Sequence, residues 1–516
     1  MKAVNPEPDA IEQRAMDAEQ LGLSEAHYSI LTGEQFDGSA SVRPVHEFYG
    51  YGAAGSLENL SNVRELMARS GVSYEELVSL VETRFLNPGQ YALNFLDAVF
   101  TGSSLSGQEL YDRLALIEAG NLQSSNDHEI SQALSDYSTA TGTLITPPEF
   151  DIWVAAFFSD FQGVVTLYEP ESRCDLDSTS LRTMESLYAG GGTSGIPEAF
   201  WSRYHRFVRL WRILGWTAHE LDLMLSSLGY ADITSETLED LAAVLELSQE
   251  SKLEHNKLAT FWGDIDTQGE KHLYGKLFLN RGAQGIDDAF QPDGWGNYLT
   301  SNTTLLADHE SAILAAFRIS ADDLDLILAS AEVIEGGVRR PIDFAVDTLD
   351  MPNLSTLYRF VTFAKSLKLK IVDLVRLIDL FETYPFSTWD RDAGVYNNVD
   401  PAVTLQFFHT CKDVMDSGFK SSTLEYIVDG VIDESSTVAL DGSGALDALT
   451  NLRAVYNSIE NDHPDVLEEP TVTAVRDKLT LTFGAEAVGE LLEIAEGTVC
   501  MKRWQTPTLM LLFRIT

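Results

Sequence analysis

Residues 205–225 read HRFVRLWRILGWTAHELDLML, and the way this stretch divides decides the fold. Up to Leu214, bulky apolar residues recur at helical spacing: Phe200, Tyr204, Phe207, Trp211 and Leu214 share one face of a helix. Gly215 marks the helix end. Trp216 is an apolar residue placed in the turn, where it can anchor the corner. Thr217 is a cap-type residue whose hydroxyl can satisfy free N–H groups of a following helix. Leu221, four positions after the cap, starts that helix's buried stripe.

The same order recurs along the chain. Gly71-Val72-Ser73 leads to Leu77, Arg318-Ile319-Ser320 to Leu324, Lys368-Leu369-Lys370 to Leu374, and Gly418-Phe419-Lys420 to Leu424. A degenerate copy, Gly22-Leu23-Ser24, leads to Tyr28. The first positions, 22, 71, 215, 318, 368 and 418, are separated by 49, 144, 103, 50 and 50 residues, close to multiples of fifty. Spacing this regular favours repetition over the chance turns of any helical protein. Helical pairs that stack build an extended shell or solenoid. The expected fold class is mainly α: a multi-lobed stacked-helix shell of helix–turn–helix units, with few short strands. Helix should exceed roughly half of the residues, against the usual third.

Other boundaries fit this reading. A polar helix over Asp9–Leu21 stops at Gly22. Ser73-x-x-Glu76 is a capping box opening a helix to Leu86, which stops at Asn87-Pro88-Gly89. Ser106-x-x-Glu109 opens another, to Gly120, and Pro147-Pro148 opens an apolar helix around Trp153. One strand is expected over Gly163–Tyr168. Loops are expected over Gly190–Ile196, Tyr384–Asp400 and Asp429–Gly444.

The chain has 516 residues, 79 acidic and 35 basic, for a net charge of −44. At roughly 150 residues per domain this suggests about three packing units. Hydrophobic residues make up 44%, enough for sizeable cores. The charge opposes nucleic-acid binding, which needs Lys and Arg clusters, and docking on an anionic membrane. Cys174, Cys411 and Cys500 form no CxxC and suggest neither a zinc site nor a disulfide scaffold. The opening MKAVNPEPDAIEQRAMDAEQ lacks the apolar core of a signal peptide. No stretch approaches the ~18 to 20 apolar residues of a membrane span.

Several motifs match only in letters. Gly190, Gly192 and Gly195 satisfy GxGxxG, but no clear strand precedes them and the chain lacks a βαβ pattern, so a loop is expected. Ile196-Pro197 stands where a phosphate loop needs Lys-Ser/Thr. Asp264-x-Asp266-x-Gln268-Gly269 resembles a calcium loop, yet Gly275 falls where a bidentate Glu belongs; capping or salt bridging is expected of these acids. His-Glu pairs begin at 46, 128, 219 and 309, and none has a second His four residues after the first. No GxSxG elbow occurs. Arg203, Arg206, Arg209 and Arg212 concentrate positive charge on one helix, and pairing with acids inside the fold is expected. Trp211, Trp216 and Trp262, beside helix ends, are expected in the core. No catalytic, cofactor-binding or metal-ligating residue is assigned, no cofactor is called for, and the chain is expected not to be an enzyme.

Five blocks carry a resemblance: ELMARSGVSYEELVSLVETRFLNP at 65–88, TLYEPESRCDL at 166–176, HRFVRLWRILGWTAHELDLML at 205–225, LATFWGDIDTQGEKHLYGKLFLN at 258–280 and LSTLYRFVTFAKSLKLKIVDLVRLIDL at 354–380. In order and approximate spacing, from about Leu21 to Thr498, they resemble the N-terminal half of the A component of the Tc (toxin complex) insecticidal toxins. That half includes the Salmonella virulence plasmid A-type region and a neuraminidase-like region whose name implies no sialidase chemistry.

The resemblance implies a homopentamer whose A component binds host cells and injects a channel that passes a toxic polypeptide carried by B and C components. The N-terminal half would form a largely helical shell around that channel. It implies an N-terminal lobe over 1–162, a central shell lobe over 163–383, a C-terminal lobe over 384–498 and a divergent apolar tail over 499–516. Its partners would be other copies of the A component, the channel-forming remainder and, indirectly, B and C, with no nucleic acid and no membrane span of its own. Its location would be a secreted toxin complex, and otherwise the cytoplasm until release. The pore-forming segments lie outside the resemblance. The rival expectation is a free-standing helical-repeat interaction module derived from such a shell.

Overall fold

The computed structural model describes residues 9–141, 144–169, 176–190, 193–269, 272–279, 287–292, 297–299, 303–430, 442–462 and 472–495. Helix makes up 65% of them, so the fold is mainly α, with only short strands beside it. The chain divides into two compact units, Met1–Ser421 and Ser422–Thr516.

The corners organise the first unit. All six first positions lie in the left-handed region: φ is +72° at Gly22, +68° at Gly71, +69° at Gly215, +56° at Arg318, +58° at Lys368 and +76° at Gly418. This conformation reverses the chain after a helix and lets the next N–H groups close on the last carbonyls. Leu23 N–H donates to the Ala18 carbonyl at 2.7 Å, Leu369 to Ala364 at 2.9 Å and Ile319 to Leu314 at 3.3 Å. Four caps accept as their residue types require: Ser24 from His27, Ser73 from Glu76, Thr217 from Glu220 and Ser320 from Asp323. The stripe-starting residues Tyr28, Leu77, Leu221, Leu324 and Leu374 are buried. Anchors Leu23, Val72 and Trp216 are buried too, while Ile319 and Leu369 are half-buried.

Two apolar cores form in this unit. One gathers residues from Ala18 to Cys411. The other belongs to the helices Gln90–Phe100, Gly107–Glu118, His128–Thr141 and Pro147–Gly163, with Phe150, Val154, Phe158 and Phe161 inside. The helix opened by Ser73 ends at Val81, not Leu86. Its continuation is captured elsewhere: Arg84 and Phe85 donate their backbone N–H groups to the buried Asp222 carboxylate at 3.1 and 2.8 Å.

The expected strand is present as Val165–Tyr168, paired antiparallel with Ser180–Thr183. The loop expected over Tyr384–Asp400 is corrected: it holds strands Thr388–Asp390 and Val395–Asn397. They belong to a four-stranded sheet in which Glu332–Glu335 pairs antiparallel with Val338–Pro341 and parallel with Thr388–Asp390. Asp390 Oδ1 accepts the N–H groups of Asp392 and Ala393 to make the turn, and Trp389 packs on Tyr396 across the pair at 4.9 Å. Strands of three or four residues are too short for alternation to register in the sequence.

The second unit contains helices Gly442–Asp462, Val472–Phe483 and Ala485–Ala495; the latter two pack together across Gly484, with Val488 buried. Leu446, Leu449, Leu452, Val455 and Tyr456 are exposed. Of the loop expected over Asp429–Gly444, residues 431–441 lie outside the described residues, and Gly444 is already helical. The tail over 499–516 also lies outside them. Among the described residues no helix is long and apolar enough to cross a membrane.

Candidate functional site

The helix Glu198–Leu214 places its four arginines around half its circumference, and the structure corrects what they meet. Among the described residues, only Arg206 pairs with an acid, Asp232, at 2.6 Å. Arg203 donates to the Leu86 carbonyl, Arg209 to that of His205, and Arg212 to those of Ser70 and Gly71 at 2.9 and 2.6 Å. For Arg212 the reason is geometric: Ser70 and Gly71 end the helix Val63–Ser70, and the last carbonyls of a helix have no partner within it and carry negative partial charge.

Arg212 stands three residues before the Gly215 corner and clamps the preceding corner at Gly71. Lys365 stands three residues before the Lys368 corner and donates to the Phe317 carbonyl, beside the preceding corner at Arg318, at 2.6 Å. Two successive pairs of corners are therefore tied by the same device.

His205 is buried in the same arginine helix, stacked on Phe48 at 4.2 Å and facing Arg209 through Nδ1 at 3.0 Å. Burial, followed by the charges of Arg209 and Arg206, depresses its pKa to about 3, so it is neutral at neutral pH.

The Gly215 corner is built as a small polar network. Trp216 lies against the His255 ring at 4.1 Å. Glu220 accepts the Thr217 N–H at 2.8 Å and contacts His255 Nδ1 at 3.1 Å. The His255 contact is the largest influence holding its carboxyl down at about 2. Its neighbour His219 reaches Asp266 at 3.1 Å, and that bond raises the histidine pKa. The calcium-like stretch is thus structural: Asp266 also accepts the Gln268 N–H, and Asp264 accepts from the Tyr396 hydroxyl. Of the glycine-rich loop, Gly191 and Gly192 lie outside the described residues, and Ser194 donates to Glu58 at 3.0 Å.

Sequence reasoning missed three buried charged groups. Asp222 is one. Arg359, fully buried, donates to the carbonyls of Thr260, Ser387 and Gly263 at 2.5, 2.5 and 3.1 Å. Asp347 binds Arg340 through two bonds and Arg391 through one, at 2.7 to 2.9 Å. Burial pushes its pKa up, but these guanidiniums and the Asp343 N–H outweigh it and bring it to about 2. A lone charge inside an apolar run, as in Leu357-Tyr358-Arg359-Phe360-Val361, is the signal that could have found Arg359.

Glu246, Glu250 and His409 bring three ligand-type atoms within 4.8 Å of one another. The chain's own Lys412 ammonium lies 2.8 Å from Glu250 and supplies a cation there. This cluster joins the helices Ser235–Ser251 and Pro401–Ser417, and Gln20 adds a third helix through Glu246 at 3.1 Å. The tryptophans are mostly core: Trp262 is fully buried with Nε1 donating to Thr404 at 3.1 Å, and Trp211 is half-buried.

No family model and no curated protein matches the chain. Among solved structures it is similar to Morganella morganii TcdA4, at 12% identity and a TM-score of 0.37, over 64% of this chain and 13% of that one. It is also similar to Yersinia pseudotuberculosis TcaA-TcaB, at 13% identity and a TM-score of 0.34, over 80% of this chain and 18% of that one. Both are Tc toxin structures, and this chain spans less than a fifth of either length.

Proposed function

We propose that this chain is a structural shell portion of a Tc-type toxin A component, which encases and positions a translocation channel for a toxic cargo protein and is not itself the pore. The observation that carries the reading is the set of six left-handed corners, four of them capped, which makes the first unit a run of helical layers. Its buried charges are spent on layer-to-layer joints, as a scaffold requires. The five ordered sequence blocks supply the toxin class. In this reading the partners are other copies in a homopentamer, the channel-forming remainder of the A component and, indirectly, B and C, within a secreted complex. No catalysis is needed, and the purified chain should not turn over sialosides, peptides or nucleotides.

The test is co-expression with channel-bearing and B- and C-type products of the neighbouring genes. The expected result is one particle, imaged with this chain outside the channel. A chain that purifies alone from all of them would instead be a free-standing helical-repeat interaction module.

A further inference from the structure

Between the corners at Arg318 and Lys368 lies a cleft of about 520 Å³, within the roughly 300–1,000 Å³ usual for ligand sites. Its wall is drawn from the helices His255–Leu258, Leu273–Phe278, Glu310–Phe317 and Met351–Leu367. Lys257, Lys276, Arg318 and Lys365 line it, and no Asp or Glu does among the described residues. The chain carries 79 acidic residues against 35 basic ones, so a wall whose charged groups are all basic runs against its composition. Between the cations the half-buried Leu253, Leu277 and Ala316 give the wall an apolar surface.

One further observation concerns Arg318. Arg318 holds φ +56°, where four of the six corners use glycine. A left-handed non-glycine residue costs roughly 1 kcal/mol, and such outliers cluster at ligand clamps. Burial and the nearby Arg318 charge both lower the pKa of Lys365, so an anion here would relieve a repulsion.

We propose that this cleft binds a small amphipathic anion, with a carboxylate or phosphate head between Arg318 and Lys365 and an apolar body over Leu253, Leu277 and Ala316. Lys365 uses one ammonium hydrogen on the Phe317 carbonyl and keeps two for a ligand. The proposal is independent of the shell reading, and either can fail alone.

Calorimetric titration of the full chain with octyl phosphate, octanoate, inorganic phosphate and octanol tests it. One of the two amphiphilic anions should bind at least tenfold more tightly than either inorganic phosphate or octanol, and which one names the head group. Arg318→Gly should weaken that binding at least tenfold while leaving the unfolding midpoint unchanged or higher, because the glycine relieves the backbone. Lys365→Met should weaken it as well. Equal affinity in the wild type and Arg318→Gly, or octanol binding as well as the anions, would overturn the site.

Discussion

The corners at Gly215 and Gly418 share a backbone and differ in everything that backbone supports. Both glycines sit at nearly the same φ, +69° and +76°. After the first, Trp216 is 8% exposed and stacked on His255, Thr217 caps, and Leu221 is fully buried. After the second, Phe419 is 51% exposed, Lys420 has no acceptor to offer as a cap, and Leu424 is only half-buried. The turn is thus a local property of the residue that ends the helix. Burial of the anchor is not local; it depends on another layer, here the short helix His255–Leu258, arriving to cover it.

The largest expected difference follows from that layer. Trp216→Ala removes a buried ring and leaves a cavity, and should cost about 3 to 5 kcal/mol. Phe419→Ala removes an exposed ring and should change stability by under about 0.5 kcal/mol. Urea midpoints of the two variants measure this directly. Similar losses would mean that the two anchors are equally covered and that the contrast is false.

The helices leading into the corners differ next. Ten residues before Gly215 stands the buried His205; nine before Gly418 stands His409, with its side chain 40% exposed to solvent beside Glu250. Unfolded, His205 takes up a proton near its usual 6.5, whereas folded it resists until about 3. Stability is therefore present above pH 6.5 and is lost as the pH falls toward 3. The loss is roughly 5 kcal/mol at the acid end, on the order of 1.4 kcal/mol per pH unit. His205→Phe keeps the ring against Phe48 and removes the titration. Its stability should decline less than wild type between pH 6.5 and 4. Parallel curves would show that His205 charges freely in the folded state.

How much of this was legible follows the same line between local and remote. Gly71, Gly215, Ser73 and Thr217 were readable because left-handed φ and N-terminal N–H groups each select a residue type at a fixed offset. Capping boxes at Ser106 and Thr217 formed as their spacing required. The early end of the helix at Val81 was not readable, because the group that ends it, Asp222, lies 137 residues from Phe85 in sequence. Composition matches the arginines of Glu198–Leu214 to acids, yet apart from the Arg206–Asp232 pair their described partners are mainly carbonyls, which composition cannot count. The strands Thr388–Asp390 and Val395–Asn397 acquire their meaning only from the parallel pairing with Glu332–Glu335.

The glycine contribution should be the same at both corners. An added Cβ at Gly215 or Gly418 would meet nothing within 4 Å, so the cost of Gly→Ala is backbone strain alone. Each variant should lose about 1 kcal/mol. Lys368→Gly should gain a similar amount, since that lysine holds φ +58°. A large loss at Gly215 and none at Gly418 would show that the turn, like its anchor, depends on tertiary cover.

The smallest effect concerns the caps, and Lys370 isolates it. Lys370 occupies the N-cap of Ile371–Phe381 and makes no side-chain cap bond. At the equivalent position Ser320 accepts the Asp323 N–H at 3.2 Å and donates to the Asp323 carboxylate at 2.8 Å. The Lys370 corner compensates in its backbone: the Asp373 N–H donates to the Lys370 carbonyl at 3.1 Å. The Asp373 carboxylate is also turned to another partner, its Oδ1 accepting from Ser421 at 2.5 Å. Lys370→Ser should therefore gain only about 0.5 kcal/mol, the low end for a cap. It also removes a cation from the positive end of the helix. Thr217→Ala, which deletes a complete capping box, should lose about 1 kcal/mol or more. The pair is compared by urea midpoint at fixed ionic strength. A gain at Lys370→Ser as large as the loss at Thr217→Ala would show that the Asp373–Lys370 backbone bond substitutes for nothing. No change at either would show that the corners are held by their anchors alone.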